Sequence, residues 1–200
     1  TLQGKLSHLP GMGEKSEKRI LQGIEALARR SSRMTLGTAL PIGRRWLDWL
    51  RSLDAVQQAE LGGSLRRGRS TIGDLDIVAA SNRPDEVMEA FTTHPDVQRV
   101  LAKGSSKSSI ELSGGVNVQL WVQPPERFGT VLQFVTGSKD HNVRLRELAQ
   151  QRGLSLSEQW IRDEAGSESH FATEEVVYAA VGLPYIAPEL REDRGEIAAA

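Results

Sequence analysis

An α+β chain built around one mixed sheet is the fold that the 200 residues predict. Three observations carry that reading. Short runs at 56–61, 72–78, 97–102, 108–112 and 116–122 are rich in β-branched and apolar residues or alternate with period two. Helical periodicity precedes these runs within 1–53 and follows them within 126–152. The chain carries no internal repeat.

Hydrophobic residues make up 38% of the chain, enough for a core in one large domain or two small ones. The absence of cysteine excludes a disulfide framework and a thiolate metal site. No apolar run approaches a membrane span and no signal peptide is visible, so a soluble, intracellular protein is expected. The formal net charge is −1, but basic residues gather at Arg29, Arg30 and Arg33, at Arg44 and Arg45, at Arg66, Arg67 and Arg69, and at Arg144 and Arg146. Such local tracks can bind phosphate backbones although the total charge is near zero. The first residue is Thr1, and the chain reads as a piece of a longer protein.

In order, Leu2, Leu6 and Leu9 make one helical face, which Pro10, Gly11, Met12 and Gly13 break. A second helix over 15–30 places Ile20, Leu21, Ile24 and Leu27 inward. Two glycines in that turn allow a sharp bend with N–H groups at a helix N-terminus, which suits a phosphate. Lys15 and Lys18 add charge. A plain αα-hairpin also favours Gly and Pro, so the motif has both readings. After the polar joint Ser31, Ser32 and Arg33, a helix turns Leu40, Leu47, Leu50 and Leu53 to a core, with Pro41 in its first turn and Trp46 and Trp49 in packing roles.

A strand over 56–61 then feeds the stretch around which the chain is organised, LGGSLRRGRSTIGDLDIVAA from Leu61 to Ala80. Ile72, Ile77 and Val78 mark a strand core, and residues two apart share a face, so Asp74 and Asp76 project together. Paired carboxylates repel unless a cation sits between them, and Mg²⁺ is held by one or two carboxylates plus substrate phosphates. The Gly63 and Ser64 backbone with Arg67 can hold those phosphates. A metal–triphosphate site is the economical reading; a solvated strand end is the plain one.

Beyond it, a short helix spans 82–91 and a strand 97–102. Strands 108–112 and 116–122 form a hairpin closed by Ser113, Gly114 and Gly115, with Val118, Leu120 and Val122 on one face and Asn117, Gln119 and Trp121 on the other. Pro124 and Pro125 end the sheet. Helices follow at 126–135 and 139–152, the second with Val143, Leu145 and Leu148 partly inward and capped by Gly153. Residues 154–161 alternate as a strand, 165–170 read as a loop, 173–181 as a helix, and the tail from Ala187 as charged and extended.

Taken together, GSLRRGRSTIGDLDIV, PPERFG, TGSKDHNVRLRELAQQRGLSLSE and EEVVYAAVGLPYIAPELRED, in that order, resemble the family X (polymerase-β-like) DNA polymerases nearly end to end, and most closely the bacterial ones. The resemblance implies a nucleotidyltransferase-type palm sheet over 35–137, a helix-hairpin-helix fingers segment over 1–34 and a small thumb over 138–200. It implies that Asp74 and Asp76 bind two catalytic Mg²⁺ ions, with Mn²⁺ as a substitute. It places Gly63, Ser64, Arg67, Gly73 and Gly137 at the incoming nucleotide, Phe134 against its sugar and Asn142 at the minor-groove edge of its base. Arg146 is implied as a template contact, and Gly11, Gly13 and Lys15 as the grip on a DNA backbone. Its substrates would be dNTP and primer-template or gapped DNA, in the cytoplasm of a bacterium. The family's domains outside this span, an N-terminal lyase and a C-terminal phosphoesterase, are not in these 200 residues.

One departure bears on the chemistry. The family's third aspartate falls at Gln119, and an arginine usual two residues later falls at Trp121. Glutamine is neutral and cannot take the proton from a primer 3′-hydroxyl, a role whose loss costs about 10²–10⁴-fold. If the hairpin loop has three residues, Ile110 faces Val118 and Glu111 shares the face of Gln119 as a replacement ligand. The leading function is gap-filling DNA-directed DNA polymerisation in repair, weakened at Gln119. The rival is a non-catalytic DNA-binding module that positions a nuclease domain. A related nucleotidyltransferase acting on a non-DNA acceptor is a third reading, which the helix-hairpin-helix disfavours.

Overall fold

The structure is a computed structural model that describes residues 33–200. The expected helix-hairpin-helix, with Gly11, Gly13 and Lys15, lies outside the described residues. A short strand β1 (Met34–Thr35) leads into helix α1 (Leu36–Arg51), whose N-terminus is capped by the Thr35 hydroxyl. Strand β2 (Gln58–Leu61), a single-turn helix α2 (Gly63–Arg66), strand β3 (Thr71–Ile72) and strand β4 (Leu75–Ala80) follow. Helix α3 (Pro84–Thr92) precedes three longer strands, β5 (Val97–Lys103), β6 (Lys107–Leu112) and β7 (Val116–Gln123). Helices α4 (Phe128–Thr136) and α5 (Lys139–Gln151), short strands β8 (Ser155–Leu156), β9 (Ile161–Arg162) and β10 (Glu168–Ser169), and helices α6 (Glu174–Ala180) and α7 (Glu196–Ala199) complete the chain.

The main sheet has the order β2-β4-β7-β6-β5. Only the β4–β7 pair is parallel, so the sheet is mixed, as expected. Strand periodicity sorts its residues. Leu75, Ile77 and Ala79 of β4 join Val118, Leu120 and Val122 of β7 on one face, in a core with Trp46, Leu47 and Leu50 of α1 and Val87, Met88 and Phe91 of α3. Trp46 and Phe91 meet edge to face at 5.6 Å, so Trp46 packs as anticipated. The opposite face of the sheet is only half covered. There Val78 and Ala80 pack against Phe128, Val131 and Leu132 of α4, with Trp121 and Val135 at the margin. Asp76 and Gln119 share that second face by register, two residues along the strands from Val78 and Trp121.

A separate core forms around α5, α6 and β9 from Leu145, Ala149, Ile161, Val177, Tyr178, Val181, Leu183 and Ile186. It is tied to α2 by a buried chain of charges. Arg66 donates to Glu174 at 2.6 Å, Arg191 donates to the other oxygen of Glu174 at 2.6 Å, and Arg191 lies over the Tyr178 ring.

Several local expectations change. Pro41 lies inside α1, past its first turn, because the helix begins at Leu36. Ile72 belongs to β3, paired with Met34 of β1, and a bend at Gly73 and Asp74 separates it from β4. Residues 154–161 are a tight β8–β9 hairpin rather than one strand, turned where the Ser157 hydroxyl accepts from the amides of Gln159 and Trp160. Glu168 and Ser169, read as loop, add β10 to that hairpin. Val143 is 41% exposed, since α5 buries His141, Asn142, Leu145 and Ala149 instead. The tail is not extended: it forms a turn at Pro188–Leu190 and the helix α7, and it buries Arg191 completely.

Candidate nucleotide and metal site

An open cleft of about 440 Å³ runs along the uncovered half of the sheet. It is lined by Gly63, Ser64, Arg67, Asp74, Asp76, Phe134, Val135, Gly137, Lys139, Asn142, Val143 and Arg146. These residues come from α2, the entry to β4, the end of α4 and the start of α5. Nine of them are residues that the sequence singles out for the site; Val135, Lys139 and Val143 are not, although Lys139 and Val143 lie within the TGSKDHNV stretch. Gly73 sits in the bend before β4 and is not among the lining residues.

The Gly62–Gly63 turn rests directly on Asp76. The Gly62 amide donates to the Asp76 carbonyl at 2.7 Å. Gly63 has φ of 57°, and a Cβ added there would fall 2.1 Å from Asp76 Oδ2. Only glycine fits both the left-handed backbone and the contact. The carboxylate, the turn and Ser64 are thereby held together.

Asp74 and Asp76 line the same cleft. Burial, and then the neighbouring charge of Asp74, push the Asp76 carboxyl up to about 7, against opposing pulls from Lys107 and Arg67. A pair of carboxylates with this unrelieved repulsion fits a divalent cation, with phosphate and water oxygens completing its shell. Among the described residues no cluster of three or more His, Cys, Asp or Glu comes together. The two aspartates are therefore the anionic donors on offer.

Gln119 stands beside Asp76 in the parallel β4–β7 register. Its amide Nε2 donates to Asp74 Oδ2 at 2.5 Å. The side chain thus reaches the acidic pair, but as a hydrogen-bond donor and not as an anion. The hairpin loop does have three residues, and Ile110 faces Val118. Glu111 therefore shares the face of Gln119, as expected, but it pairs directly with Asn117 and is held by Arg99 at 2.8 Å. Trp121 carries the Lys107 ammonium over its ring at 4.1 Å.

On the other wall, Asn142 is locked between Gln133, which donates to its Oδ1, and the Phe134 carbonyl, which accepts from its Nδ2, both at 2.9 Å. The Arg146 guanidinium lies 5.6 Å over the Phe134 ring. Arg67 spans the cleft floor: its Nη1 donates to the Thr136 carbonyl at 2.5 Å and its Nε to Glu192 at 2.8 Å. Gly137, with φ of 69°, lets the chain pass close to that guanidinium.

Residues 131–192 match the family described as DNA polymerase beta thumb. The chain is 37% identical over 198 residues, 98% of its length, to the DNA polymerase/3′-5′ exonuclease PolX of Bacillus subtilis, of which it covers 35%. It is 28% identical to DNA polymerase lambda of Rattus norvegicus, over 65% of this chain and 28% of that protein. The chain therefore spans about a third of the length of these curated relatives. With the mixed sheet, the glycine turn locked on Asp76 and the thumb match in one chain, it is similar to the family X DNA polymerases, their bacterial members included.

Proposed function

We propose that this chain binds a metal-complexed dNTP and a DNA primer-template or gap and transfers the nucleotide slowly, in DNA repair. The observation that carries this reading is the convergence of Asp74, Asp76, Ser64 and Arg67 on one cleft that also contains Phe134, Asn142 and Arg146. Its volume of about 440 Å³ suits a nucleotide. Mg²⁺, or Mn²⁺ in its place, held by Asp74 and Asp76 would neutralise the phosphates and the charge that develops during transfer. Arg67 and Ser64 bind outer phosphates, Phe134 packs on the sugar, and Asn142 presents its amide to the base edge. Arg146 lies where a template strand would pass. Gly11, Gly13 and Lys15 grip a DNA backbone. Gln119 cannot accept the primer hydroxyl proton, so the step that follows binding is the weak one.

The relatives' printed names, a DNA polymerase with 3′-5′ exonuclease and a DNA polymerase, favour polymerisation. We place it in the bacterial cytoplasm; no described helix is long and apolar enough to cross a membrane. The hydrogen bond from Gln119 to Asp74 favours a second reading, a DNA-binding module without chemistry of its own.

Titration calorimetry of Mg²⁺-dNTP tests the nucleotide half. Binding by wild type that Asp76→Ala abolishes is expected. Equal binding by both proteins removes the metal–triphosphate reading.

A further inference from the structure

Glu192, in the C-terminal segment, is charged, only 17% exposed, and has no role in the chemistry above. Its Oε1 accepts from Arg67 Nε at 2.8 Å, and Arg69 Nε approaches the same oxygen at 3.6 Å. Arg67 is also fixed from its other side, Nη1 donating to the Thr136 carbonyl. A guanidinium has five N–H donors in one plane. With Nε and Nη1 engaged, Nη2 is the nitrogen without a protein partner among the described residues. The side chain lines the cleft while being only 12% exposed, so its freedom is already spent on these two contacts.

Glu192 is itself held. Its amide donates to Leu190 at 2.8 Å, and the Glu196 carboxylate accepts from the amides of Asp193 and Arg194. Glu196 also contacts the buried His141 ring at 2.7 Å.

We propose that Glu192 is a positioning residue for the nucleotide phosphates: it orients the Arg67 guanidinium so that Nη2 faces the cleft. This rests on the nucleotide-binding reading above. A long arginine loses considerable rotamer freedom on binding, and a preset fork loses less. The opposite outcome is also physically defined. If the carboxylate merely competed with phosphate for Arg67, its removal would tighten binding.

The test is calorimetry of Mg²⁺-dNTP with the 200-residue chain carrying Glu192→Ala, Glu192→Gln, Arg67→Ala and the Glu192→Ala/Arg67→Ala pair. Glu192→Ala should weaken dNTP binding about tenfold, the scale of an arginine's rotamer entropy. Glu192→Gln, which keeps an acceptor oxygen, should recover most of that loss. In the Arg67→Ala background, Glu192→Ala should change nothing further. DNA affinity and the thermal midpoint are measured alongside. Unchanged or tighter dNTP binding by Glu192→Ala overturns the proposal, as does an equal loss with and without Arg67. If Glu192→Ala does not fold, the same comparison is made with Glu192→Gln, where a loss equal to that of Arg67→Ala counts against orientation by the acceptor oxygen. Absence of dNTP binding by wild type removes the nucleotide reading and this proposal together; normal wild-type binding with an unaffected Glu192→Ala removes the proposal alone.

Discussion

Asp76 is the residue at which site and stability meet. Its carboxyl is pushed up to about 7 by burial first and by Asp74 second, so between roughly pH 4 and pH 7 the folded state binds more protons than the unfolded one. Stability from this group is therefore full below the unfolded value and is lost as pH rises through about 7. Asp76→Asn should raise stability at pH 8 by on the order of 1–3 kcal/mol. The gain should vanish near pH 4, and Mg²⁺ should stabilise wild type at pH 8 but not the variant. Denaturant unfolding at the two pH values, with and without Mg²⁺, checks this. Asp74 and Asp76 are legible as a pair from their spacing, although Asp74 stands in the bend before β4 and reaches the cleft from there rather than by strand alternation. The hydrogen bond that Gln119 makes to Asp74 is not legible, since spacing does not say whether an amide arrives as donor or acceptor.

At the scale of the element, the decisive piece is the turn from β2 into α2. Gly62 and Gly63 pack against Asp76 beside Ser64, proposed above to bind phosphate, and a Cβ at Gly63 would collide with that carboxylate. Gly63→Ala should cost about 1–3 kcal/mol for the left-handed backbone alone. It should also displace Asp76 and weaken Mg²⁺-dNTP binding; unfolding and calorimetry on the same variant report both. An unchanged dNTP affinity would show that the turn does not position the site. The register of β7 was readable because Val118, Leu120 and Val122 alternate with polar residues, and a one-residue slip would expose three aliphatics. α5 was misread for a matching reason. Its buried face carries His141 and Asn142, which count as polar in a periodicity but are satisfied by Glu196, Tyr178, Gln133 and Phe134. Pro41 was placed by its preference for a first turn, whereas the Thr35 cap sets the start of α1 earlier.

Across the molecule, the charged tail proved structural. Arg191 and Glu174, both nearly fully buried, join the second core to Arg66 beside the site. Burial alone would raise the Glu174 carboxyl, but the hydrogen bonds and charges of Arg66 and Arg191 hold it below the usual range. Its stabilisation is thus present above the unfolded value and lost as pH falls through the folded one. Glu174→Ala should cost about 3–5 kcal/mol, because it leaves two arginines without their partner. Thermal unfolding measures it, and a change under 1 kcal/mol, roughly that of an exposed pair, would show that the network does not tie the parts together. Composition hid this network: a run of alternating charges reads as solvated when the partners that bury it lie far away in sequence. The central claim is that the nucleotide half of the site is whole while Gln119 weakens the transfer step. Single-turnover primer extension by wild type and Gln119→Asp, in Mg²⁺ and at saturating dNTP, tests it most directly. Slow wild-type extension and a gain of at least about tenfold in the variant are expected, the low end of general-base effects being reduced by Trp121. Fast wild-type extension that Gln119→Asp leaves unchanged would contradict it.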